Sequence, residues 1–170
     1  MSLLIPIKSP RRVFVGIAEL AVLNDPDTVL TTFALGSCLG VAIYDPEAKV
    51  GGMVHVMLPD SRIAPAKAAS RPGMFIDTGI PALFRAAYRL RADKRRLLIY
   101  AAGGAQIMDG NQYFNIGRRN CQALTELLDS HCLRIASQQV GGWVNRILHL
   151  SIRTGEVRVK VSGETAEVCL

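Results

Sequence analysis

One cysteine and one histidine stand out in the run LGSCLGVAIYDPEAKVGGMVHVMLP, residues 35–59. Cys38 and His55 lie among glycines and apolar residues with almost no charge beside them. A thiol next to an imidazole supports nucleophilic catalysis, because the ring takes the thiol proton as the sulfur attacks a carbonyl carbon. The same residue types also fill cores: free cysteine is among the most buried side chains, and a strand histidine is often a satisfied interior residue. Residue types alone leave both readings open.

The spacing adds geometry. A four-residue turn at 45–48 pairs Tyr44 with Lys49 across an antiparallel hairpin. Six positions further along each strand, that register sets Cys38 directly opposite His55, with Cβ atoms about 4.5–5.5 Å apart. A five-residue turn would throw His55 onto the other face. Gly36 and Gly40 flank the cysteine, and Gly51-Gly52 lie on the facing strand. Glycines there remove bulk, so a substrate amide can lie over the sulfur. Backbone N–H groups of the Gly-Ser-Cys turn are candidates for an oxyanion hole. Thr32, on the preceding strand, can hold the second imidazole nitrogen and fix its tautomer, the task of a carboxylate or amide in other triads. It is also simply a good strand residue. The candidate catalytic set is therefore Cys38, His55 and Thr32. His131, Cys132 and Cys121 lack a fourth ligand at metal-site spacing, and His149 in ILHLSI reads as structural. No metal or organic cofactor is expected.

These residues need a scaffold. Residues 12–22 and 28–35 are β-branched and apolar with NDPD between them, which predicts two strands and a turn. Strands at 39–44 and 49–58 follow. Residues 59–73, rich in proline, alanine and serine, predict a surface loop beside the site. Asp77-Thr78 predicts the cap of a helix running to 91, with Ile80, Leu83, Phe84, Ala87 and Tyr88 on one stripe. A buried strand at 96–102 ends at Gly103-Gly104. A second helix at 118–130 presents Cys121, Leu124, Leu127 and Leu128. Strands near 133–140, 144–152 and 156–162 complete the chain, the last two joined at Arg153-Thr154-Gly155. The expected fold is mixed α/β: largely antiparallel sheets with two main helices in a layered sandwich. Residues 1–170 read as one domain, with 1–11 and 163–170 as peripheral tails.

Composition bounds the function classes. No apolar run approaches the roughly 20 residues that span a bilayer. The basic residues of MSLLIPIKSPRR follow its apolar run, the reverse of a secretory signal. A cytoplasmic location without membrane insertion is the expectation. Four cysteines without CxxC or repeating spacing suggest reduced thiols rather than a disulfide framework. The net charge of +6 is spread in short clusters with only 6% aromatic residues, which argues against nucleic acid and for attraction to an acidic protein surface.

Taken together, VGIAELAV, TVLTTFALGSCLGVAIYDPEAKVGGMVHVMLP, GGAQIM, IGRRN and TGEVRVK resemble the chemoreceptor glutamine deamidase family, CheD, over residues 15–160. The LGSC and GGMxHxMLP blocks carry the resemblance. It implies Cys38 as nucleophile, His55 as base and Thr32 as support. It further implies thioester hydrolysis of glutamine side chains on methyl-accepting chemotaxis receptors, and in some systems a regulatory phosphatase of the CheC type. Ala34 stands where the family commonly has glycine, and WVNR follows Gly141-Gly142 where a glycine- and arginine-rich run is usual. Gly103-Gly104 and IGRRN read as a tight turn and a helix start. Three rival readings stand beside this one: a non-catalytic adaptor for receptors or a phosphatase, a different cysteine hydrolase such as a receptor methylesterase, and a redox-sensing thiol.

Overall fold

A computed structural model describes residues 9–106 and 115–170. Two adjacent strands dictate its layering. β4 (Leu39–Asp45) and β5 (Val50–Val56) are buried along their whole length, so both faces of their sheet must be covered. Leu39, Val41, Ile43, Val54 and Val56 point to a core shared with helices, whereas Ala42, Tyr44 and Met53 point to a second core shared with another sheet. The strand period of two makes that division.

The middle sheet has the order β2 (Leu20–Leu23), β5, β4, β6 (Leu98–Gly103), β7 (Ser137–Val140). The outer sheet runs β1 (Arg11–Phe14), β3 (Thr28–Leu35), β8 (Arg146–Ser151), β9 (Val157–Val161), β10 (Glu167–Cys169). Two pairs, β1 with β3 and β6 with β7, are parallel, and the rest are antiparallel. The third layer holds α2 (Ile76–Arg89) and α3 (Ile116–Ser130). On α2, Ile76, Ile80, Leu83, Phe84 and Ala87 are buried at helical spacing, while Tyr88 lies at the exposed edge of that stripe. Each of the larger apolar side chains contributes roughly 1.5–3 kcal/mol by leaving water. On α3 the buried set is Gly117, Asn120, Leu124 and Leu128, with Cys121 and Leu127 half-buried. The mixed α/β, mainly antiparallel layered architecture is the one expected.

Several local expectations give way. The β4–β5 register pairs Asp45 with Val50 and Tyr44 with Gly51, two positions away from the expected pairing of Tyr44 with Lys49. The cause is Asp45, which belongs to the strand and caps the turn after it. Its Oδ1 accepts from the N–H groups of Glu47 (2.9 Å) and Ala48 (3.1 Å), and Lys49 closes the loop at a left-handed φ of 53°. Arg96 grips the same buried carboxylate through Nε (3.1 Å) and Nη2 (2.8 Å), and the Asp93 N–H adds a further bond of 2.8 Å. Burial pushes the carboxyl pKa up, but these donors outweigh it and hold the group at about 2.

The predicted strand at 12–22 is two strands in two different sheets. The chain leaves the outer sheet after Phe14, passes a left-handed turn at Ala18 (φ 62°) and enters the middle sheet at Leu20. Asp77 and Thr78 lie inside the first turn of α2 rather than capping it. Asp77 accepts from the Ser61 N–H (3.0 Å) and hydroxyl (2.6 Å), and Thr78 donates to the Pro72 carbonyl (2.6 Å). Both therefore anchor the 59–73 segment, which carries the short helix α1 (Pro65–Ser70) between two 3-10 turns. At the two ends, Arg11 opens β1 and residues 167–169 form β10, each an edge strand; residues 1–8 lie outside the described region.

Candidate active site

β3 and β5 belong to different sheets, and their facing side chains meet in the space between. Leu30, Thr32 and Leu35 project inward from β3, and Met53 and His55 from β5. Thr32 and His55 are both essentially without solvent exposure. The Thr32 hydroxyl oxygen lies 2.7 Å from the Val15 carbonyl and 2.8 Å from His55 Nδ1. A hydroxyl has one proton, and the carbonyl can only accept, so that proton goes to Val15. Toward the ring the hydroxyl therefore accepts, which places the imidazole proton on Nδ1. Nε2 then carries a free lone pair, the form a general base needs. His55 Nε2 has no hydrogen-bond partner among the described residues.

The Val15–Glu19 crossover also fixes the histidine backbone. Ala18 N–H donates to the His55 carbonyl (2.9 Å), and His55 N–H donates to the Glu19 carbonyl (3.1 Å). One short segment thus holds both Thr32 and His55. The sequence signal for it was weak, because RVFVGIAELAV reads as a single continuous strand.

Cys38 occupies the bend just before β4, two positions ahead of Gly40, and Gly40 is the residue paired with His55. The expected direct opposition of Cys38 and His55 is corrected to this offset. The shift of two keeps the parity, so Gly40 still shares the inter-sheet face with His55. A Cβ at Gly40 would come within 2.8 Å of Leu35 Cδ1 and 3.2 Å of Thr32 Cγ2, so the glycine admits the outer sheet closely here.

The bend is held from outside through three successive carbonyls. Ala105 N–H donates to Gly36 (2.8 Å), Asn120 Nδ2 to Ser37 (3.0 Å) and Gly104 N–H to Cys38 (2.8 Å). Gly103, at φ 111°, is required for this approach, because a Cβ there would collide with the Cys38 carbonyl oxygen. Ile107 and Met108 of the GGAQIM block lie outside the described residues. Asn120 Nδ2 also donates to the Met57 carbonyl (2.9 Å), which ties the cysteine bend to the end of β5. Residue reasoning passed over Asn120 as part of a helix start. The available signal was its place on the stripe 117, 120, 124, 128, where one polar residue joins an otherwise buried face.

Burial shifts the protonation of both candidate residues. It pushes the half-buried Cys38 thiol up, partly offset by the cysteine's own backbone N–H, and pushes the His55 imidazolium down. At neutral pH the pair rests as thiol and neutral imidazole. The other strand histidine, His149, bonds Thr31 (2.9 Å) through Nδ1 on the outward face of the outer sheet, away from this site. Two surface cavities also lie elsewhere: one of about 210 Å³ between α2 and α3 at Ile80, Phe84, Leu127 and Leu133, and one beside Asp60, Asp77 and Arg119.

Known proteins resemble this chain over most of its length. The family model described as CheD chemotactic sensory transduction matches residues 57–161. A protein of Syntrophus aciditrophicus named probable chemoreceptor glutamine deamidase CheD 1 is 46% identical over 151 residues, covering 89% of this chain and 94% of its own. Similarly named proteins of Solibacter usitatus and Anaeromyxobacter dehalogenans are 44% and 40% identical, covering 92% and 91% of this chain and 93% and 97% of theirs. A solved Neisseria meningitidis structure of the DUF152 family is similar at a TM-score of 0.42 and 8% identity, covering 78% of this chain and 63% of that one. With a family model matching well over half its residues and relatives above 40% identity along nearly its full length, the chain belongs to the CheD family.

Proposed function

We propose that this protein hydrolyses glutamine side chains of chemoreceptors to glutamate, with Cys38 as nucleophile, His55 as base and Thr32 as the residue that orients the base. The observation that carries the reading is the Val15–Thr32–His55 chain of hydrogen bonds, which leaves the Nε2 lone pair free to accept a proton, with no hydrogen bond to Cys38 Sγ in the resting protein. The names of the relatives supply the substrate class.

In the first half-reaction His55 Nε2 takes the Cys38 proton while sulfur bonds to the carboxamide carbon, and the C=O pair moves onto oxygen. The oxyanion collapses, the C–N bond breaks, and His55 returns the proton to the departing ammonia. A thioester remains. His55 then draws a proton from water, whose oxygen attacks the thioester carbon. The C–S bond breaks, His55 hands its proton to the departing sulfur to restore the thiol, and the carboxylic acid left behind ionises to a carboxylate, its proton going to ammonia or solvent. The histidine begins neutral, the form that burial favours, and is charged only between taking up each proton and giving it back. The net charge of +6 favours encounter with an acidic helical substrate.

The test is ammonia release from a receptor cytoplasmic fragment, with mass mapping of new glutamates. Wild type is compared with Cys38→Ala and His55→Ala, on glutamine and on methyl-glutamate fragments. Product from wild type alone on glutamine supports the reading. Release of methanol rather than ammonia identifies a methylesterase, and product from Cys38→Ala removes the cysteine from the chemistry.

No helix among the described residues is long and apolar enough to cross a membrane.

A further inference from the structure

The three pinned carbonyls of the cysteine bend have a counterpart on their other side. In a trans peptide the C=O and the following N–H point in opposite directions, and no described peptide bond is cis. Drawing the Ser37 carbonyl toward α3 therefore turns the Cys38 N–H away from α3. That N–H belongs to the same residue as the sulfur, only the Cα and Cβ atoms separating its nitrogen from Sγ, so the two stay close. An acyl carbon bonded to this sulfur would place its oxygen close to the same donor.

We infer that Asn120 is a positioning residue for the oxyanion hole: by binding the Ser37 carbonyl it fixes the Ser37–Cys38 peptide so that the Cys38 N–H faces the developing oxyanion. The inference deepens the cysteine-nucleophile reading above and rests on it.

Three features single out Asn120. Its side chain is fully buried, yet it comes from a helix with no other part in the chemistry. Both carbonyls it meets can only accept, so the amide orientation follows from chemistry. Its second bond, to Met57, fixes the bend relative to the strand that carries His55. A leucine would fill the space but supply neither bond, leaving two carbonyls without this donor. The neighbouring carbonyls of Gly36 and Cys38 are held by backbone N–H groups, which no side-chain substitution removes. The middle peptide alone depends on a side chain.

The experiment compares two reactions of the same sulfur in the intact protein. Acetylation by p-nitrophenyl acetate forms a C–S bond through a tetrahedral oxyanion and expels p-nitrophenolate. Alkylation by iodoacetamide is a displacement at saturated carbon and forms no oxyanion. Both are followed on the Cys38 peptide by mass spectrometry, which sets aside the exposed Cys132 and Cys169.

Asn120→Asp keeps the shape and loses the donor, and Asn120→Ala removes both. The expected result is acetylation slowed by about 10- to 100-fold, short of the 10²–10³ typical for deleting a donor outright. Alkylation stays within about 2-fold of wild type, since only the oxyanion partner is lost. Equal slowing of both reactions would mean that sulfur access was lost, and would overturn the inference. Unchanged acetylation would overturn it too, as would failure of both variants to fold. Neither probe is a receptor, so wild type that fails to release ammonia from a receptor fragment would sink the deamidase reading while the ratio remained decisive here.

Discussion

Replacing Thr32 by valine removes one hydroxyl and almost no volume, yet it strips two buried groups of their partner. The Val15 carbonyl loses its donor at 2.7 Å, and the His55 Nδ1–H loses its acceptor at 2.8 Å. A buried polar group left unpaired costs about 1–3 kcal/mol. Two of them predict a loss of roughly 2–6 kcal/mol, a fall in Tm of about 5–20 °C for a chain this size. The catalytic effect is separate. With nothing to accept from Nδ1–H, the ring favours carrying its proton on Nε2, where it cannot serve as base. A penalty of about 1–3 kcal/mol on the productive form predicts kcat lower by roughly 5- to 150-fold, with KM little changed. Thr32→Ser keeps the hydroxyl and should stay within about 3-fold of wild type, a loss below about 1 kcal/mol. Ammonia release at a temperature where both variants are folded gives the rate, and ¹⁵N spectra of the ring give the tautomer. Wild-type kcat in the valine variant, with the proton still on Nδ1, would refute the reasoning.

Other perturbations follow from the same geometry. Alkylation of Cys38 should be slower at pH 7 than for an unburied thiol and should still be rising above pH 9, because burial pushes the thiol above its ordinary 9.0. The acid limb of deamidation should lie below pH 6.5, where His55 becomes charged, since burial lowers its pKa; a limb above that value would contradict the buried, neutral base. Ala34 sits at φ 56° beside the β3 bulge, so Ala34→Gly should stabilise the protein by about 0.5–1 kcal/mol in chemical denaturation. Asp45 is held at about 2 in the fold against 3.8 ordinarily, so its contribution is complete above about pH 4 and lost as pH falls toward 2. Asp45→Ala should cost about 3–5 kcal/mol by leaving Arg96 and the turn amides without their shared acceptor, measurable as a shifted denaturation midpoint.

Much of the fold was legible because burial imposes periodicity. The stripe of α2 reads directly from residue order. The hairpin shows where such reading fails. Its face was readable, because a register error of two preserves parity, but the partner of His55 was not. Choosing between turns at 45–48 and 46–49 required knowing that Asp45 finds Arg96, 51 positions away. The split of 12–22 was hidden for a related reason: Val13 and Val22 are equally apolar although they serve different sheets. At the site, Thr32 and His55 were visible as side chains of the right chemistry. The Val15 carbonyl and the Gly104 and Ala105 amides act through backbone positions that residue identity does not encode, and Asn120, though it acts through its side chain, meets backbone carbonyls far from it in sequence.

The crossover from one sheet to the other has a bearing on how this molecule would tolerate change. His55 rides on the middle sheet and Thr32 on the outer one, so their 2.8 Å bond bridges the seam between two slabs of β-structure. On the proposed mechanism, activity therefore gauges how far apart the slabs sit. Leu148, paired with Thr32 in the register and buried in that seam, belongs to the spacer. Leu83 lies beyond the middle sheet, under the helices. Trimming either residue weakens the fold, but only at Leu148 does lost volume let the orienting hydroxyl drift from the ring. On the proposed mechanism, lost volume at Leu83 thus leaves the Thr32–His55 bond in place, whereas the inter-sheet core around Leu148 is bound to it.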